Sequence, residues 1–81
     1  MTRDIQVFYY AQLREQSGRG EEIVRTTTTT AGELYDLLRK RHGFQLQPAH
    51  LKVAVNDQLM DWNTPLQDGD AVTFIPPVAG G

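Results

Sequence analysis

The sequence predicts an α+β domain: a sheet of four to five strands with one main helix on one face. Three observations predict it. Runs rich in β-branched and aromatic residues alternate with turn signals in the order strand, strand, helix, strand, minor strand, strand. One segment, residues 31–42, carries helical periodicity with a start and a stop signal. A length of 81 residues gives one small domain with a single thin core and no room for a second.

Ile5-Gln6-Val7-Phe8-Tyr9-Tyr10-Ala11 reads as the first strand. Leu13 to Gly20 holds Arg14, Glu15, Ser17, Gly18 and Gly20, so the chain turns there, with room for one short helical turn. Glu21 to Thr28 is the second strand, antiparallel to the first because the connection is too short for a parallel crossover. The threonines at 26 to 30 finish that strand, and the last of them starts the helix. Thr30-Ala31-Gly32-Glu33 has the spacing of a capping box. Leu34, Leu37, Leu38 and Tyr35 are placed on the buried face, Arg39-Lys40-Arg41-His42 suit the negative end of the helix dipole, and Gly43 suits a left-handed cap. Leu51 to Val55 is the third strand, Asn56-Asp57 begins a turn into a short strand at Gln58-Leu59-Met60, and Trp62 is a core or rim aromatic. Asp68-Gly69-Asp70 turns the chain into a final strand, Ala71 to Ile75, which Pro76-Pro77 ends because neither proline has an amide hydrogen. Residues 1–75 therefore form the domain, and 76–81 an extended tail.

Composition excludes several kinds of chemistry. Eight basic against ten acidic residues give a net charge of −2, which argues against a nucleic-acid partner. The cations closing the helix read as a solvated end completing its dipole. The absence of cysteine removes disulfides, thiolate metal sites and a cysteine nucleophile. Histidines occur only at 42 and 50, without a carboxylate at ligand spacing, and read as surface residues; no metal site is expected. No apolar run suits a signal or a membrane span, so a cytoplasmic protein is expected, with no membrane partner. No serine, histidine and aspartate grouping and no phosphate-cradling glycine loop is present.

The unusual feature is the ending Pro76-Pro77-Val78-Ala79-Gly80-Gly81. Six residues span up to about 20 Å at roughly 3.3 Å each, enough to enter another protein's cleft. Glycines without a Cβ pass a narrow channel and let a partner close around the terminal carboxylate of Gly81. That group is ionised and inert at neutral pH, with a pKa near about 3.5, and needs activation as an acyl adenylate made from ATP by a second protein.

Val53-Ala54-Val55-Asn56, Thr64-Pro65-Leu66, Asp68-Gly69-Asp70 and the ending Phe74-Ile75-Pro76-Pro77-Val78-Ala79-Gly80-Gly81 resemble the small subunits of molybdopterin synthase. The opening Phe8-Tyr9-Tyr10-Ala11-Gln12-Leu13-Arg14-Glu15 is similar to the same group, and Trp62 resembles the related sulfur carrier of thiamine biosynthesis. The resemblance covers nearly the whole chain. It implies a β-grasp, ubiquitin-like fold with a mixed sheet, and a sulfur carrier that is not an enzyme on its own and holds no cofactor. Gly81 would be adenylated by a ubiquitin-activating-like adenylyltransferase at the expense of ATP, and a sulfur donor would convert it to a thiocarboxylate. Pro76, Pro77, Val78, Ala79 and Gly80 would carry it into the large synthase subunit, in a heterotetramer, where sulfur passes to cyclic pyranopterin monophosphate. Two other functions use the same ending: sulfur transfer in thiamine biosynthesis, and conjugation to lysine amines as a ubiquitin-like modifier. A plain interaction domain would use neither the tail nor its activation.

Strand alternation, with the first and last strands paired as in the β-grasp fold, predicts the partner surface. Ile5, Val7, Tyr9, Val72 and Phe74 face the helix. Gln6 and Thr73 mark the uncovered face, which leaves Phe8, Tyr10 and Ile75 as an apolar group beside the tail.

Overall fold

The computed structural model describes residues 1–77, so Val78, Ala79, Gly80 and Gly81 of the expected tail lie outside the described residues. The elements are β1 (Arg3–Tyr9), α1 (Ala11–Ser17), β2 (Glu21–Thr26), α2 (Ala31–His42), a 3-10 turn (Pro48–His50), β3 (Lys52–Val55), β4 (Gln58–Met60) and β5 (Ala71–Ile75). The strands form one sheet in the order β2-β1-β5-β3-β4. The central pair, β1 and β5, is parallel and the other pairs are antiparallel, which makes the sheet mixed.

The long helix follows its sequence signals. Thr30 accepts the amide of Glu33 at 3.2 Å, and the Glu33 side chain reaches back to the Thr30 amide at 3.2 Å, the reciprocal box that satisfies two orphan donors. Gly43 closes the helix at φ +72°, a left-handed conformation that glycine adopts without a Cβ clash. Ala31, Leu34, Tyr35 and Leu38 are buried, an i, i+3, i+4, i+7 stripe. Leu37, expected on that face, lies at its margin and is half-buried. Opposite the stripe, the sheet contributes Ile5, Val7, Tyr9, Val24, Val53, Val72 and Phe74 to the core.

Element ends differ from the sequence reading in four places. β1 runs from Arg3 to Tyr9 rather than from Ile5 to Ala11, because Ala11 turns the chain with φ +51°. The segment after it is a seven-residue helix, longer than one turn, stopped by Gly18, whose amide donates to the Arg14 carbonyl at 3.0 Å. β2 ends at Thr26, whose hydroxyl oxygen accepts the Thr28 amide at 3.1 Å and so turns the chain inside the threonine run. β3 begins at Lys52 because Leu51 still closes the 3-10 turn through its amide to the Pro48 carbonyl at 3.0 Å.

Candidate functional site: the β5 exit and the open sheet face

β5 leaves the sheet from its middle. Phe74 is paired with Tyr9 of β1 and with Val53 of β3, and Ile75 with Lys52 of β3, so the last strand is held on both sides up to Phe74 and on the β3 side up to the tail. Pro76 is buried and Pro77 exposed, which places the last described residues at the sheet's rim.

Helix α2 covers one face of the sheet. The other carries Phe8 and Ile75, both half-buried, while Tyr10, which alternation also assigned to it, lies exposed just past the end of β1. The register brings Phe8, Thr73, Ala54 and Leu59 into one row across β1, β5, β3 and β4. Leu59, 67% exposed, extends the apolar stripe beyond the residues named from sequence. A signal for it existed: Asn56-Asp57 is a two-residue hairpin loop, with both residues at positive φ, and such a loop fixes Ala54 opposite Leu59.

Under the covered face lies a polar cluster that sequence reasoning missed. Tyr9 donates its hydroxyl to Glu22 Oε2 at 2.5 Å, and His42 Nε2 meets the same oxygen at 2.7 Å. Arg19 adds a longer ion pair to Glu22 at 3.7 Å. His42 is not a surface residue: its side chain is 13% exposed and its ring packs edge-on against Tyr9, with centroids 5.7 Å apart. Burial pushes the Tyr9 phenol far above its ordinary range, and the hydrogen bond to Glu22 and its charge push the same way. For Glu22 burial acts to raise the carboxyl, but hydrogen bonds from Tyr9 and His42, with the charges of His42 and Arg19, outweigh it and hold the group below its ordinary value. The cluster thus ties β1, β2 and the last turn of α2 together beside the β5 exit.

Trp62 is a rim aromatic. It is partly buried, stacks on Phe74 at 6.0 Å, and accepts the Gly32 amide through its carbonyl at 2.7 Å. A Cβ on Gly32 would meet that carbonyl oxygen at 3.2 Å, so the close approach of α2 favours glycine. Among the described residues no group of three histidine, cysteine or acidic side chains is placed to hold a metal ion, and no helix is long and apolar enough to cross a membrane.

A five-stranded mixed sheet with a parallel central pair, crossed on one face by a single long helix, defines the ubiquitin-like β-grasp class. Within that class the chain belongs to the ThiS family, which matches residues 7–81. It is 36% identical over 80 residues to the molybdopterin synthase sulfur carrier subunit of Escherichia coli K12, covering 95% of this chain and 99% of that one. It is also similar to a chain in the complex of subunits 1 and 2 of molybdopterin-converting factor from Helicobacter pylori, at 28% identity and a TM-score of 0.67 over 100% of both chains. The small archaeal modifier protein 1 of Methanosarcina acetivorans, at 19% identity and a TM-score of 0.81 over 100% of this chain and 99% of that one, shares the fold.

Proposed function

We propose that this chain is the sulfur carrier subunit of a molybdopterin synthase, working in the cytoplasm. The observation that carries the reading is the joining of two features: a central strand held on both sides to Phe74 and by β3 to Ile75, and a continuation Pro76-Pro77-Val78-Ala79-Gly80-Gly81 with no bulky residue at its last three positions. The likeness to the Escherichia coli carrier subunit over 95% of the chain supports it. The chemistry begins at the carboxylate of Gly81, which attacks the α-phosphorus of ATP on an adenylyltransferase and releases pyrophosphate. Sulfide released by a sulfur donor then attacks the acyl carbon, its new C–S bond replacing the C–O bond to the departing AMP, and leaves a thiocarboxylate. With no cysteine in the chain, sulfur resides on the terminus itself. The large synthase subunit receives the tail and supplies the catalytic groups that move sulfur to cyclic pyranopterin monophosphate, so the carrier delivers a reactive group and is not catalytic alone.

The test is intact-mass spectrometry after incubation with the cognate activating enzyme, ATP and a sulfur source. One oxygen exchanged for sulfur at the C-terminus is expected, and deletion of Gly81 removes the exchange while leaving thermal stability nearly unchanged. An unchanged mass with an activating enzyme shown to be active overturns the carrier reading. Transfer to a thiazole synthase instead of the molybdopterin large subunit would assign the chain to thiamine biosynthesis. A ladder of lysine conjugates would assign it to protein modification.

A further inference from the structure

β2 is an edge of the sheet, paired with β1 on one side and, among the described residues, with no strand on the other. Which backbone groups face that open side follows from the register. The Tyr9 amide donates to the Gly20 carbonyl at 2.8 Å. In an antiparallel ladder hydrogen-bonded and non-hydrogen-bonded pairs alternate, so Glu22 and Val24 bond inward to Val7 and Ile5. The amides and carbonyls of Glu21, Ile23 and Arg25 therefore point outward from the edge. The side chains of these same residues are exposed, on the face that α2 leaves open. Ile23 is 74% exposed, more than any other large apolar residue except Met1 among the described residues.

We propose that this edge pairs with β2 of a second copy of the chain, antiparallel about a two-fold axis at Ile23, joining the two sheets into one. That register sets Ile23 against Ile23 of the second copy, and it sets Glu21 against Arg25 twice, once on each side of the axis. The pairs fall on residues whose backbone groups already point outward, so each exchanges both its hydrogen bonds. Arg25, bonded to Asp4 at 3.0 Å across β1, would then lie between two carboxylates. Charges on an edge strand commonly discourage pairing, but here opposite signs placed symmetrically about an apolar residue reverse the effect. A two-residue slip either way loses both Glu21–Arg25 pairs, setting Ile23 against Glu21 one way and against Arg25 the other. β1 separates this edge from β5, and the antiparallel arrangement sends the two β5 exits to opposite ends of the joined sheet.

Sedimentation equilibrium of the full chain as a function of concentration tests the pairing, with circular dichroism confirming the fold of every variant. The expected result is a reversible dimer that Glu21→Arg weakens at least about tenfold by setting like charges face to face, and that the double variant Glu21→Arg with Arg25→Glu restores. In the dimer the amides of Glu21, Ile23 and Arg25 should exchange more slowly at high concentration than at low. A chain that stays monomeric up to about 1 mM, a dimer insensitive to Glu21→Arg, or a double variant no better than the single one overturns the proposal.

Discussion

At Glu22 a carboxylate occupies an inward strand position between the buried Val24 side of β2 and the buried Val7 of β1, where an apolar side chain would be the simpler choice. It is tolerated because Tyr9 and His42 both bring hydrogen bonds to one of its oxygens. Its folded pKa lies below the ordinary value, so its contribution to stability is fully present above about pH 4.3 and is lost as pH falls through the folded value. Glu22→Gln should therefore lower stability at neutral pH by about 1–3 kcal/mol, and urea unfolding should show the variant and parent converging on acidification. Tyr9 acts in the opposite limb. Its folded pKa is raised, so its contribution is whole below about pH 10 and declines above that pH, as the unfolded chain ionises and the folded chain does not. Tyr9→Phe should flatten the alkaline decline without abolishing it, because burial also raises Tyr35. Equal alkaline slopes in variant and parent would show that the phenol does not carry this effect. The sequence hid this cluster for a definite reason: His42 closes a run of four basic residues, and only the fold sets its ring against β1 and β2.

Among the elements, those with chemical end signals were legible to the residue. Residues 31–42 were readable because a capping box and a left-handed glycine mark both ends, and β4 and β5 because a turn signal precedes each and prolines without an amide hydrogen follow β5. The ends that shifted, of β1, β2 and β3, are set by hydrogen bonds of side chains or short turns that no pattern of hydropathy encodes. The β3–β4 turn shows how one residue joins two elements. Asn56 takes φ +52°, donates from its amide to Asp70 at 3.0 Å, and accepts the Ala71 amide at 3.0 Å, which fixes the hairpin loop against the entry to β5. Asn56→Ala loses both bonds and keeps a left-handed backbone that disfavours a Cβ, for a loss of about 2 kcal/mol. Asn56→Gly loses the bonds without the strain and should lose about 1 kcal/mol. Thermal unfolding should rank asparagine above glycine above alanine; alanine equal to asparagine would mean that the lock contributes nothing.

For the whole molecule, the placement of β5 separates two surfaces with different consequences. Its exit lies among Ile75, Lys52 and the β1 end, next to the row from Phe8 to Leu59 on the open face. Ile23, by contrast, lies at the far edge, with β1 between it and β5. Half of this surface was readable from alternation alone, which put Phe8 and Ile75 on the uncovered side; the Asn56-Asp57 loop sets Ala54 opposite Leu59, but that pair joins the row only once the pairing of β3 with β5 is known. A partner that takes in the tail must come within reach of the first row, which is apolar at Phe8, Ala54 and Leu59 and interrupted only by the small polar Thr73, and a mostly apolar surface of this sort is the kind that proteins cover on binding. Ile75 is half-buried and pairs with Lys52 through its backbone, so a lysine there can extend into solvent while its ammonium enters the contact zone. Ile75→Lys should weaken binding to the synthase large subunit and to the activating enzyme at least about tenfold, roughly 1.4 kcal/mol, with the fold retained. Ile23→Lys should leave both affinities unchanged, since its site is an edge and not the exit. Titration calorimetry on the two folded variants decides between the surfaces: an unchanged affinity of the Ile75 variant for both partners would remove the open face from the docking site, and a loss confined to the Ile23 variant would move that site to the β2 edge.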